Sequence, residues 1–460
     1  MRKRKIPRKQ KVASIDNLPV INPNAAGLDI ASDEIMACIP SGRDPHNIQA
    51  FGTFTVDLDA LADWLTLCKI DTVAMESTGL YWIPIFELLE SRGFKVILVN
   101  PLHVKQVAGR KSDVSDAQWI QTLHTFGLLE ASFRPTADFA ILRTYLRHRQ
   151  SLIESRADQI RLIQAALLQM NLQLSLVLKD ITGTTGLAIL RDILSGERDP
   201  NTLALHRNNN CKYSQEDIAK ALTGSWRDEH LFTLRQSVEA FDTFSKLIAN
   251  ADVQIERYLA SLMPTAPAIP PTPDSHKSKH NTHSKNAPPK SSEPHLRRVA
   301  GVDLLEVDGY STSTVQVILA EVGSDVSQFP SANHFSSWLG LAPHNEKSGG
   351  KILRNRVGKH PNRVAHALRL AAVSLLRSDT ALGAYHRRMK ARIGPAQAVV
   401  ATAHKLAVIT YYMLRDKTPY RPRDAAAYDQ HFRERQVKSL ERNAKRLGFS
   451  LVPQPQPATI

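Results

Sequence analysis

The sequence predicts an α/β N-terminal domain, a long helical middle and a mainly α-helical C-terminal domain. Three observations carry this. Residues 24–131 alternate short apolar runs of strand type with helical stripes. Residues 136–176 keep a seam spaced alternately by three and four. Between them and the C-terminal part lies a stretch, 264–295, rich in Pro, Ser, Lys, His and Asn, which cannot bury enough apolar surface to order itself.

In the N-terminal part, Gly27–Ile30, Glu34–Ile39 and Gly52–Val56 are three strand candidates in quick succession, joined by polar turns. Leu58, Leu61, Ala62 and Leu65 form a helix stripe. A strand at Thr72–Glu76, a helix from about Tyr81 to Ser91 and a strand at Val96–Val99 follow. Then comes Lys111-Ser112-Asp113-Val114-Ser115-Asp116-Ala117, which opens an amphipathic stretch running to Leu128-Leu129. Three hairpin-type strands followed by alternating helix and strand make a layered plan with a mixed sheet. That is the element order of an RNase H-like fold.

Four acids sit at telling points of this plan. Asp29 lies inside the apolar run Ala25–Ile30, and Glu76 ends Thr72–Glu76. Asp113 and Asp116, three apart near a helix start, share one face. Alone, that pair reads as a cap answering the helix dipole. An acid inside or at the end of a buried strand is costly unless paired or bound to a metal. Together, two strands and a helix bring Asp29, Glu76, Asp113 and Asp116 toward one edge of an RNase H-like sheet, a set suited to a hard divalent cation.

The seam of the middle region is Leu146, Arg149, Ile153, Arg156, Ile160, Ile163, Leu167, Met170 and Leu174. It predicts a coiled-coil contact between chains, with a helix packed inside its own chain as the alternative. A later stripe, Phe244, Leu247, Ile248, Ala251, Ile255, Leu259 and Leu262, predicts a helix packed on the earlier ones, with Val253 off its face. In the C-terminal part, Val315, Ile318, Leu319 and Val322 predict a helix ended by Gly323, and Phe335, Trp338 and Leu339 another ended by Gly340. Beyond it the loop around Ser348-Gly349-Gly350 is strongly basic: Lys347, Lys351, Arg354, Arg356, Lys359 and Arg363. Paired glycines let a backbone approach a phosphate, and a serine among cations suits attack on a phosphodiester. A solvated basic loop is the plainer alternative.

Composition narrows the partner. The net charge is +15 and the pI about 9.7, which points to a polyanion. The N-terminus is basic without an apolar segment behind it, so it is no secretory signal. No apolar run reaches the roughly 20 residues of a membrane span. The three scattered cysteines form no CxxC pair and fit a reducing, cytoplasmic setting.

These residues resemble a family. Gly27-Leu28-Asp29, Met75-Glu76-Ser77-Thr78-Gly79, Asn100-Pro101 and Lys111–Ala117 look like the Asp-Glu-Asp-Asp transposases of the insertion-sequence-110 family. Asp180-Ile181-Thr182-Gly183 and Gly196-Glu197-Arg198-Asp199-Pro200 look like its insertion-sequence-1111 branch, and Gly340-Leu341-Ala342-Pro343 with Ser348-Gly349-Gly350-Lys351 like its C-terminal transposase domain. The resemblance implies an RNA-guided serine recombinase. Its RuvC/RNase H-like domain would bind Mg²⁺ through Asp29, Glu76, Asp113 and Asp116, and Ser348 would be the nucleophile. The implied partners are the element ends and target DNA, a structured non-coding guide RNA, and further copies of the chain in a dimer or tetramer.

The implied domains are a basic flexible arm (1–23), the acidic catalytic domain (24–135), a coiled-coil and helical region (136–263), a disordered linker (264–295), the C-terminal transposase domain with the serine (296–425) and a basic tail (426–460). Two other readings stay open: a Holliday-junction-type metal-dependent nuclease using the acids alone, and a non-enzymatic nucleic-acid-binding scaffold in which the acids are structural.

Overall fold

The computed structural model describes residues 18–77, 79–101, 104, 115–262, 284–348, 351–357, 362–421 and 425–452. Asp113, Lys359, residues 1–17 of the basic arm and residues 264–283 of the linker lie outside them. The chain divides into two compact units, Met1–Arg134 and Pro135–Ile460.

The first unit is built on a five-stranded sheet with the order β3-β2-β1-β4-β5. Its strands are β1 (Ala25–Ile30), β2 (Ile35–Cys38), β3 (Ile48–Phe51), β4 (Thr72–Glu76) and β5 (Lys95–Val99). The first three pair antiparallel, whereas β4 runs parallel to β1 and β5 parallel to β4. Gly52–Val56 is not the third strand. That strand is Ile48–Phe51, and Thr55 and Val56 already belong to helix α1 (Thr55–Leu67). The run misled because its apolar residues, Phe54 (79%) and Val56 (73%), are exposed at the start of α1 rather than buried in a sheet.

Strand alternation sorts the side chains between two layers. Ala26, Leu28, Ile30, Val73 and Met75 face one way and pack with Leu61 and Leu65 of α1 and with Ile85 and Leu89 of α2 (Trp82–Ser91). Ala74 and Val99 face the other way and pack under Trp119, Ile120 and Leu123 of α3 (Asp116–Thr125). At about 1.5–3 kcal/mol for each large apolar side chain buried, these two layers hold the unit together.

The second unit opens with α4 (Ala137–Gln169), which ends where Asn171 turns left-handed at φ 55°. Helices α5 (Thr184–Ser195) and α6 (Gln215–Ala221) follow, the latter starting on the Ser214/Asp217 capping box. Next is α7 (Asp228–Ser261), antiparallel to α4, with Tyr145 against Tyr258 near one end and Arg156 against Ser245 further along. The predicted seam is filled from within the chain. Ile163, Leu167, Met170 and Leu174 are buried in one cluster with Ile189, Ile218, Leu234 and Phe241. Arg149 makes a bidentate pair with Asp252 of α7 at 2.6 and 3.1 Å. Within the chain the seam packs chiefly against α7, as the alternative reading expected, and its two arginines have polar partners there.

Residues 284–295, expected as part of the linker, carry contacts. Lys285 pairs with Asp180, and Asn286 accepts from both Arg149 (3.1 Å) and Arg156 (2.6 Å). Residues 284–295 are thus tied onto the α4–α7 pair and run directly into α8 (Glu293–Ala300). Beyond it come α9 (Thr312–Val322), α10 (Ala332–Trp338), a hairpin of β6 (Pro343–Ser348) and β7 (Lys351–Val357), α11 (Arg363–Ser374), α12 (Ala381–Ile393), α13 (Pro395–Asp416) and α14 (Ala425–Arg446). Glu321 of α9 takes Arg147 of α4 bidentately at 3.0 and 2.9 Å, so the helical middle and the C-terminal helices belong to one unit. The expected basic tail is a helix over most of its length. Among the described residues no helix is long and apolar enough to cross a membrane.

Candidate functional site

The acids are positioned by the sheet. In the parallel β1–β4 ladder Leu28 pairs with Met75, so one residue further along each strand stand Asp29 and Glu76. Both are half-buried, and alternation puts both on the α3 side of the sheet with Gly27 and Ala74. Adjacent strands lie about 4.8 Å apart, so two carboxylates end neighbouring strands on one face. Glu76 is itself flanked by Val99 of β5.

Helix α3 crosses this same face, and Gly27 is what lets it. A Cβ at Gly27 would sit 2.8 Å from the Gln121 Cα and closer still to Gln121 N and Ala117 O. Gln121 Nε2 reaches the Ala25 carbonyl, 3.4 Å, on the N-terminal side of Gly27. The helix therefore runs antiparallel to β1, and its first turn, with Asp116, points toward Asp29. Ser115 caps that turn, its side chain accepting from Gln118 N at 3.3 Å. The cap is a serine and not an aspartate; exposed Asp116 is left as the first helical residue.

Two hydrogen bonds fix α3 to the sheet side. The Trp119 indole donates to the Val104 carbonyl at 3.3 Å. Buried His124 shares a 2.8 Å hydrogen bond with the Thr72 hydroxyl of β4. Burial, helped by nearby Lys95, pushes its imidazole pKa down to about 4, so it is neutral at pH 7.

The structure brings Asp29 and Glu76 together and directs Asp116 to the same end of the sheet. Among the described residues no three acid, histidine or cysteine side chains stand close enough to hold a metal ion. The fourth acid, Asp113, three residues before Asp116, lies outside them. An all-carboxylate donor set on two strands and a helix suits a hard cation such as Mg²⁺.

The serine and the basic cluster belong to the second unit. The expected loop is a hairpin. Ser348 ends β6 and Lys351 opens β7, and the two are register partners, with an irregularity between Glu346 and Lys347. Lys347 lies on β6, and Arg354 and Arg356 on β7, where Arg354 pairs with Glu346 and Arg356 with His344. Exposed Arg363 opens α11 behind the cap Asn362, which accepts from Ala365 N at 3.0 Å. Sequence reasoning passed over Gly27 and Ser115. The signals were there, a glycine inside an apolar strand and a serine one residue ahead of a helix.

Two family models match the chain. One, described as a transposase of the DEDD type of IS110, covers residues 26–172. The other, described as transposase of the IS116/IS110/IS902 family, covers residues 303–387. The first includes all four acids and the second includes Ser348. The chain is 33% identical over 128 residues to the insertion element IS110 uncharacterized 43.6 kDa protein of Streptomyces coelicolor, across 27% of this chain and 31% of that one. It is 30% identical over 128 residues to the insertion element IS900 uncharacterized 42 kDa protein of Mycobacterium paratuberculosis, across 27% of this chain and 32% of that one. The chain spans about a third of the length of the curated relatives it matches. The two family models together take in just over half of its residues, and the chain belongs to the IS110 family of DEDD transposases.

Proposed function

We propose that this protein is an insertion-element transposase that cuts and rejoins DNA through a serine–DNA ester. The observation that carries the reading is the pair Asp29 and Glu76 at the ends of adjacent parallel strands, under a helix whose first residue is Asp116. The strand order β3-β2-β1-β4-β5 supports a RuvC-like domain for them. Asp29, Glu76, Asp113 and Asp116 would hold Mg²⁺. When bound, the ion supplies neutralisation and orientation of the scissile phosphate.

The remaining steps fall to the chain's own residues. Ser348 Oγ gives up its proton and bonds to phosphorus, and the strand oxygen leaves and takes up a proton. Attack by a strand hydroxyl then reverses the step and frees Ser348, so the phosphodiester energy is kept for rejoining. Lys347, Lys351, Arg354, Arg356, Lys359 and Arg363 balance the phosphate charge. On the family resemblance, a structured non-coding RNA of the element selects donor and target DNA, and the serine of one protomer works with the acids of another in a dimer or tetramer.

The acids are tested with isosteric changes. Asp29→Asn and Glu76→Gln should each abolish Mg²⁺-dependent strand cleavage while the circular dichroism and the urea midpoint stay near wild type. A well-folded single variant that cleaves at the wild-type rate would remove that residue from the site. The scaffold reading predicts no metal-dependent cleavage by the wild-type protein at all.

A further inference from the structure

Helix α14 is anchored at one end and exposed along the rest. Its first turns dock on α12 and α13 through a cation set among aromatic rings. The Arg388 guanidinium lies 3.7 Å from the Phe432 ring centroid and 4.9 Å from that of Tyr428, and it hydrogen-bonds the Tyr428 hydroxyl. Lys405 lies 4.5 Å from the Tyr385 centroid. Such contacts hold a helix start by packing as well as charge. Beyond Phe432 nearly every described side chain is exposed.

The exposed part is sorted by charge. At 100° per residue, Arg435, Lys438, Arg442, Lys445 and Arg446 fall within an arc of about 100°, and they extend over roughly 16 Å of helix. Val437, Leu440, Ala444 and Leu447 fall on the opposite side with Arg433. Glu434 and Glu441 border the basic stripe. Glu434 accepts from Gln430 at 3.3 Å, and Arg442 Nε donates to the Lys438 carbonyl at 3.3 Å, along the helix. Among the described residues none of the five cations has an ion-pair partner. A fold that carries net charge +15 and pairs none of these five with an acid among the described residues leaves a row of charges for an external polyanion.

We propose that this stripe is a docking surface for the phosphate backbone of duplex DNA, separate from the hairpin that carries Ser348. A row of cations along one face of a helix fits a regularly charged duplex, where each neutralised phosphate releases counterions. The inference takes DNA as partner from the proposed function and is independent of the cleavage chemistry.

The test is a salt series of binding by the full chain to a labelled DNA duplex, with a labelled RNA duplex in parallel. Lys438→Gln, Arg442→Gln and Lys445→Gln combined should lower the slope of log affinity against log salt by about 2.7, roughly 0.9 for each phosphate that is no longer neutralised. Lys438→Glu should weaken DNA binding more than Arg433→Glu, which changes the charge equally on the other face. An unchanged slope in the triple variant, or equal losses in the two single variants, overturns the stripe while leaving the proposed function standing. A loss confined to duplex RNA overturns the assignment of the partner. A wild-type protein that binds no DNA sinks both the proposed function and this inference.

Discussion

Single residues decide whether the acids meet. Gly27 is the clearest case, because α3 lies on its backbone. Gly27→Ala forces backbone against backbone, a clash no rotamer relieves, and overpacking of this kind costs about 1–3 kcal/mol. The expected result is a lower urea midpoint together with loss of cleavage beyond what the lost stability explains, since Asp116 moves with the helix. His124 sets an acid limit on the same helix. Its folded pKa of about 4 lies below the ordinary histidine value, so the unfolded chain takes up the proton first. The stability this contributes is present above about pH 6.5 and is lost as pH falls toward 4, roughly 3 kcal/mol in all. Urea midpoints at pH 7 and pH 4.5 should converge in His124→Gln more than in the wild type; equal acid sensitivity in both would relieve His124 of that role.

At the scale of elements, periodicity was a good guide wherever one partner covers one face. Leu58, Leu61, Ala62 and Leu65 are all buried in α1, and Val253 points out from α7 as its position off the stripe required. The seam of α4 was legible only in part: Arg149, Ile163 and Leu167 are buried, Leu146, Ile153, Arg156 and Ile160 are half-buried, and Leu174 lies beyond the helix; nor does a seam say which helix fills it. Here α7 does, from the same chain. Arg149 and Asp252 are both nearly buried in it, and removing one partner strands the other charge. Arg149→Met or Asp252→Asn should therefore cost about 3–5 kcal/mol. Ile163→Asp should unfold the second unit rather than change its oligomeric state. A folded protein of reduced mass by light scattering would restore the seam to a contact between chains. The hairpin was not legible: paired glycines and clustered cations read as a loop, because the two strands carry no apolar alternation to reveal their period.

At the scale of the molecule, four acids belong to the first unit and the serine with its cations to the second. Four of the five strands were readable from sequence because their short apolar runs are bounded by turn residues; the third was placed at Gly52–Val56 and lies at Ile48–Phe51. Asp29 and Glu76 stood out as candidates because acids on apolar strands are costly enough to need a reason. What no residue pattern revealed is that residues 284–295 fasten onto α4, α7 and the loop at Asp180, since Lys285, Asn286 and Ser291 act through a few polar contacts. The proposed chemistry requires both units at one phosphate, and a serine ester is the species that separates it from hydrolysis by the acids alone. The direct measurement is capture of protein–DNA adducts in denaturant with Mg²⁺ and element-end DNA, mapped by peptide mass. The wild-type protein should yield an adduct on Ser348. Ser348→Ala should yield none while binding DNA within about threefold, or 0.7 kcal/mol. Cleavage with free ends and no adduct, or an adduct that survives in Ser348→Ala, would contradict the account.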